Sequence, residues 1–376
     1  MKLRIDRDQF TDAVAWTAKA LPTRPHIPVV AGVLLEAGGG ELRVSGYDYE
    51  TANRHTLSAA VHDTGAALVS GRLLAEITKS LPNKPVDLAA VGAHLELVCG
   101  ASRFTLPTMP AEDYPALPAM PGAAGAVDAA AFAAAVAQVS VAAGRDDTLP
   151  LLTGVRVEVD GATLRLFATD RYRVAVRELA WEPVVDTNPT ALVPARALHD
   201  TAKVLGQVSG KLELSLSDLA RGEGLAGFAA GGRQSTSRLL DAANYPPVLS
   251  LFPKAANSQA RVSTAGLVEV VKRIALVAER TAPVLLTFDG DALVVEAGGV
   301  DAARGSEFMD ADFTGEPLAV GFNPQLLLDG LAHLGTPTVA LSFVDAFKPA
   351  VFAPVGADGA TDPTFRYLLM PIRVSR

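Results

Sequence analysis

The sequence predicts an α+β fold in which sheet dominates, organised as three domains that repeat one pattern. Three observations carry this. The first is an internal repeat: DQFTDAVAWTAKALPTRPHIPVVAGVLLEA, from Asp8, aligns with AAFAAAVAQVSVAAGRDDTLPLLTGVRVEV, from Ala130, so that Phe10 and Phe132 are 122 positions apart and so are Gly32 and Gly154. The second is another block, ALVSGRLLAEITKSL from Ala67, which returns as ALVPARALHDTAKVL from Ala191 and more faintly as AVGFNPQLLLDGLAHL from Ala319. A repeat of roughly 125 residues is too long for a solenoid unit, so each copy should hold its own core. The third is length: at 376 residues the chain exceeds the roughly 250–300 at which one core stops growing. Pro, Gly and Ala collect in ALPAMPGAAGA (116–126) and LFPKAANSQ (251–259), which sets the expected domains at 1–121, 122–254 and 255–376.

Within a copy the elements follow from periodicity. FTDAVAWTAKAL places Phe10, Val14 and Ala18 on one helical face, with Leu21 closing the last turn. Alternating runs follow in GVLLEAGGGELRVSGYD; after the second helix comes VDLAAVGAHLELVCGASRFTL. The expectation is two short helices and about eight strands per domain, or six copies of a small β-α-β-β-β module.

Composition narrows the function. Hydrophobic residues make up 49% and mean hydropathy is +0.26, yet charges interrupt every apolar run well short of the roughly 18 positions a membrane helix needs. MKLRIDRDQF lacks the apolar core of a signal peptide. The single cysteine, Cys99 in LELVCG, reads as a small buried hydrophobe and fits a reducing cytoplasm. The net charge of −8 excludes a protein that holds nucleic acid by blanket attraction.

Catalytic patterns fail one by one. GEGLAG (222–227) has dinucleotide-loop spacing but leads into FAAGGRQSTSRLL, which is no helix, so it reads as a hairpin loop. The histidines His26, His55, His62, His94, His199 and His333 lack metal-site spacing. Asp146–Asp147 sit in the loop GRDDTLP, where carboxylates usually cap turns. No catalytic set, cofactor site or metal site is expected. A multi-domain enzyme with an unrecognised site and a scaffold unrelated to DNA are the other classes weighed.

The blocks ATDRYRVAVREL (168–179) and STSRLLDAANYPPVLSLFP (235–253) and the ending YLLMPIR, set in three α+β repeats, resemble the bacterial DNA polymerase III beta subunit family, the replicative sliding clamps. VSGRLL, LPNKPV and AAGRDDTLP give the resemblance an actinobacterial flavour. It covers the full length and implies a DNA clamp fold: two chains close head to tail into a ring around duplex DNA, with helices lining the hole and sheets outside. It also implies a cytoplasmic, nucleoid-associated, non-catalytic processivity subunit. The helical stretches agree with such a bore: Lys19, Arg72, Lys79, Arg196, Lys203, Lys272, Arg273 and Arg280 stand against Asp8, Asp12, Glu76, Asp200, Glu269, Glu279 and Asp329, eight against seven, or +1 in a chain of −8.

The resemblance also implies sites. DNA contact falls on Arg24 and Arg72, with Arg145, Asp146, Pro150 and Leu151 as a third contact loop. Partners are the DNA polymerase III alpha subunit, the clamp loader and other polymerases and repair proteins, which dock through a short linear motif carrying a Gln and an apolar pair. The matching pocket positions are Leu152, Thr169, Arg171, Tyr172, Arg173, Val174, Pro246, Ser250, Leu251, Asn323, Leu326, Phe347, Pro349, Leu368, Leu369, Met370, Pro371, Ile372 and Arg373. Aliphatic walls and a thioether suit varied apolar anchors, while Arg171, Arg173 and Asn323 are placed to hold the peptide's polar atoms. Dimer closure is assigned to Arg103, Phe104 and Leu106 against Leu276 and Val277 of the other copy. Pro247, Ser250, Leu326 and Phe347 depart from the family's usual residues, which leaves two readings open: drift in the housekeeping clamp, or a second, antibiotic-resistant copy with an altered peptide-binding pocket.

Overall fold

The computed structural model describes residues 1–22, 24–25, 27–184, 188–217, 224–279, 282–298 and 303–373. Arg280, His26 and the first two residues of GEGLAG lie outside them; Leu225–Ala230, the rest of that stretch, is a strand. Nine strands and two α-helices recur three times in chain order among the described residues. The strands number one more per copy than expected because short pairings such as Ala60–Asp63 with Lys2–Ile5 are too brief to show a period.

The six α-helices are α1 (Arg7–Thr17), α2 (Gly71–Ser80), α3 (Ala129–Ser140), α4 (Ala195–Leu205), α5 (Thr264–Ile274) and α6 (Pro324–Leu331). Their starts follow from capping chemistry. Asp6 accepts from the amides of Asp8 and Gln9, Ser263 from that of Gly266, and Asn323 from those of Gln325 and Leu326. Where the sequence suggested one helix running to Leu21, α1 ends at Thr17 and a 3₁₀ turn takes Ala18–Ala20. The Thr17 hydroxyl donates to the Ala13 carbonyl at 2.9 Å, and the Thr17 carbonyl would lie 2.4 Å from a Cβ on Gly46. Only glycine lets the strand Glu41–Tyr47 approach the helix end so closely. Within their bounds the six helices carry seven Lys or Arg and six Asp or Glu, again +1.

The chain divides into two compact units. The first comprises Met1–Ala133, Trp181–Pro189 and Ala197–Leu239. It holds a fourteen-stranded antiparallel sheet, made continuous where Thr51–Ser58 pairs with Arg233–Arg238, His55 opposite Arg233. Its core packs Phe10, Val14, Val33, Leu35, Leu74 and Leu97, all fully buried, and includes Cys99. The second unit comprises Ala134–Ala180, Thr190–Arg196 and Leu240–Arg376. Its nine-stranded sheet joins Arg173–Ala180 to the last strand, Phe365–Leu369, and a four-stranded sheet runs from Arg304–Asp310 to Leu318–Phe322. Among the described residues no helix is long and apolar enough to cross a membrane.

Candidate functional site

The apolar C-terminal stretch is an interior strand of the second unit. Val174 lies opposite Leu368 on one side, and Val351 lies opposite it on the other. Leu368 and Leu369 are fully buried, and pairing on both edges accounts for a continuous apolar run near the chain's end. Pro371 has no amide to extend the ladder. Met370 still donates to the Tyr172 carbonyl at 2.9 Å, and Ile372 to the Gly321 carbonyl at 2.8 Å.

At the end of this strand apolar side chains reach solvent. Val174, Leu368 and Val248 pack with Phe167 and Val176 as a buried floor. Tyr172, Leu251, Phe347 and Met370 are 59%, 50%, 65% and 39% exposed, and each lies within four residues of a residue in that floor or paired with it. An exposed apolar group over a buried apolar floor is the usual form of a protein-docking surface. Tyr172 is held out by its loop: Asp170 Oδ1 accepts from the amides of Tyr172 (3.0 Å) and Arg173 (3.1 Å), and the Thr169 hydroxyl donates to the Arg173 carbonyl at 2.7 Å. Arg171 adopts φ +80°, a left-handed conformation unusual for a side-chain-bearing residue.

Arg173 has a role the sequence did not reveal. It is buried, and its guanidinium donates to Asp170 and Asp329, at 2.8 Å each, and to the Tyr367 hydroxyl at 3.4 Å. Tyr367 in turn donates to the Leu326 carbonyl at 2.8 Å. Burial alone would lower the Arg173 pKa, but Tyr367, Asp329 and Asp170 outweigh it and hold the guanidinium above its ordinary value. Burial also raises the Tyr367 hydroxyl, although Arg173 pulls against it. Arg173 therefore braces the pocket wall from behind, with its hydrogen bonds spent inside the chain. The Asn323 side-chain oxygen is likewise committed to capping α6. Of the three polar groups expected to meet a peptide, Arg171 alone is exposed.

A neighbouring cavity of about 450 Å³ shares Pro246 and Ser250 with the expected pocket and is walled by Arg156, Glu158, Phe167, Tyr245 and Val248. The Tyr245 ring stands edge-on to Phe167 at 5.8 Å, with the Arg156 guanidinium 5.6 Å above it. Tyr245 and Val248 were missed in the sequence, although the apolar run NYPPVLSLF held the signal. Leu152, in the 3₁₀ turn Pro150–Leu152, is nearly buried.

The expected DNA contacts stand on loops and helix starts. Arg24, Arg72 and Arg145 are exposed. Asp146 shapes its own loop: its carboxylate accepts from the Thr148 hydroxyl (2.6 Å) and amide (3.0 Å), and those bonds lower its pKa. Held ionised, Asp146 repels phosphate, so within that loop Arg145 is the group suited to DNA.

Two open sheet edges among the described residues bear on assembly. Ser102–Met109 pairs along one side with His94–Cys99, but on the other only Thr108 and Met109 are paired, with Val69 and Leu68. Arg304–Asp310 is the outer strand of its sheet; beside it Leu276 is 84% and Phe308 63% exposed. Phe104 is half-buried against the first unit's core, while Leu106, expected at an interface, is buried within that core, because alternation along the strand turns it inward.

Comparison with known proteins identifies the family. Residues 1–118, 126–247 and 249–373 match the N-terminal, central and C-terminal domain models of the DNA polymerase III beta subunit. Over the whole of both chains the sequence is 50% identical to the beta sliding clamp of Streptomyces coelicolor and 40% identical to the beta sliding clamp homolog GriR of Streptomyces muensis. A crystal structure of a Pseudomonas aeruginosa DnaN sliding clamp bound to griselimycin superposes with a TM-score of 0.92 at 26% identity, covering both chains completely. The chain belongs to the DNA polymerase III beta subunit family, the beta sliding clamps.

Proposed function

We propose that two copies of this chain close head to tail into a ring around duplex DNA and tether the DNA polymerase III alpha subunit, the clamp loader and other replication and repair proteins, acting without catalysis in the cytoplasm. The carrying observation is that Tyr172, Leu251, Phe347 and Met370 expose apolar side chains within four residues of the buried cluster of Val174, Val248 and Leu368 or of its strand partner: exposed apolar groups so backed fit the apolar pair of a linear motif. Leu152, Pro246, Ser250, Leu326, Pro349 and Pro371 complete its rim, with Arg171 as the polar contact. Ring closure uses the open edge of Ser102–Met109 against that of Arg304–Asp310 from the other copy, with Phe104 packing on Leu276 and Val277. Three domains, at 1–121, 122–254 and 255–376, supply six helices to a mildly basic bore. Weak net charge there leaves retention to topology and lets the ring slide.

Sedimentation equilibrium tests the assembly. The wild-type chain should run at about twice its 39.0 kDa mass, and Phe104→Ala should shift it toward monomer. A Phe104→Ala protein as dimeric as wild type would remove that residue from the interface.

A further inference from the structure

Among the described residues, Tyr49 and Arg171 are the two non-glycine residues with positive φ, at +74° and +80°. They lie 122 positions apart, the offset that relates Phe10 to Phe132 and Gly32 to Gly154. The two loops match bond for bond: Asp48 Oδ1 accepts from the amides of Glu50 (3.0 Å) and Thr51 (2.7 Å), as Asp170 does from Tyr172 and Arg173. Left-handed side-chain-bearing residues gather at binding sites, and the second-unit copy of this loop borders the docking surface.

The two loops present different chemistry. At the position of Thr169 the first unit has Tyr47, which is 7% exposed and packs with Ala52, Leu68 and Tyr114. Its ring lies 5.5 Å from that of Tyr49. An aromatic ring thus stands where the second unit has only a small hydroxyl side chain. What this loop offers outward is the Tyr49 ring, 42% exposed.

Two exposed arginines stand on segments that meet the one leading to Tyr49, while Asp48 and Glu50 flank the ring in the chain. The Leu21 side chain lies 3.4 Å from where a Cβ on Gly46 would sit and 2.2 Å from where one on Gly71 would sit. The hairpin leading to Tyr49, the start of α2 carrying Arg72, and the segment leading to Arg24 therefore converge. Arg24 and Arg72 are exposed, as are Ile27 and Leu73. Asp48 is occupied by backbone amides, and the exposed Glu50 repels phosphate, so any attraction must come from Arg24 and Arg72. An exposed aromatic ring on a segment that meets those bearing exposed Arg24 and Arg72 suits a sugar or base face flanked by phosphates.

We propose that Tyr49 is a further DNA contact, its ring lying against a sugar or base face while Arg24 and Arg72 meet the adjoining phosphates. The proposal rests on the DNA-encircling reading. Full-length wild type, Tyr49→Asn, Tyr49→Phe and Arg24→Ala would be titrated against a fluorescent primed duplex at low salt, with thermal melting of each protein. Tyr49→Asn should weaken binding about fivefold or more without lowering the melting temperature, because Asn tolerates left-handed backbone; Tyr49→Phe, which keeps the ring, should restore most of the affinity. Tyr49→Asn binding like wild type while Arg24→Ala binds more weakly would overturn this proposal alone. Wild type that ignores the duplex would overturn the DNA reading beneath it. Weaker capture of a clamp-docking peptide by Tyr49→Asn, with DNA affinity intact, would overturn it in favour of a second peptide site.

Discussion

The loop Tyr47–Thr51 of the first unit and the loop Thr169–Arg173 of the second are two copies of one scaffold with different side chains. Both are closed by an aspartate that accepts two backbone amides, and both strain one residue into positive φ. The first carries the buried ring of Tyr47; the second has the small Thr169 in its place and is anchored from behind by the ion pairs of Arg173 with Asp170 and Asp329. The difference teaches that repeated backbone geometry is inherited as a unit, while what a copy can bind is decided by side-chain volume at one position and by what is buried beneath it.

The largest predicted effect breaks the second copy. Asp170→Ala removes two amide acceptors and a partner of the buried Arg173, and should cost about 3 kcal/mol, read as a fall in the denaturant midpoint; a change below about 1 kcal/mol would show that Asp329 suffices alone. Next, Thr169→Tyr should make the second loop resemble the first. A clamp-docking peptide should then bind about a hundredfold more weakly by calorimetry, near 2.7 kcal/mol, and unchanged affinity would refute a role for side-chain volume there.

A smaller effect concerns acid. His55, buried opposite Arg233 in the first unit's sheet, is pushed down to about 4 by burial and by that arginine, with Asp12 and a Gly231 backbone contact opposing. Its folded-state pKa lies below the ordinary value of about 6.5, so the unfolded chain binds the proton first. Stability should fall as pH drops from about 6.5 to 4 and level off below. His55→Gln should flatten that slope in pH-dependent melting, and an unchanged slope would assign it to other groups. The smallest effect returns to the first loop: Asp48→Ala loses the same two amide bonds as Asp170→Ala but no buried ion pair, and should cost only about 1 kcal/mol. Equal losses for Asp48→Ala and Asp170→Ala would remove the Arg173 anchor from the comparison.

Much of the fold was legible because repeats and periods are local signals. Phe10 with Phe132 and Gly32 with Gly154 announce the copies, and alternation in GVLLEAGGGELRVSGYD announces the hairpin. The site was only partly legible. In sequence Arg173 stands with Arg171 among the groups placed to hold a peptide, since nothing near it shows that Asp329, 156 positions on, folds back to neutralise it. Leu106 looked available for an interface because alternation places it with Phe104 without saying how deep that face lies. Tyr47 resembled any strand-end aromatic; its correspondence to Thr169 emerges only once the two loops are seen to share hydrogen bonds.

The central claim is that the chain holds DNA by encircling it. The direct test is to load the protein onto nicked circular DNA with its clamp loader, raise the salt and follow retention by gel filtration before and after the circle is cut once. Retention on the circle at high salt, followed by release when it is linearised, is the predicted result. Salt-sensitive binding that is indifferent to the cut would contradict it.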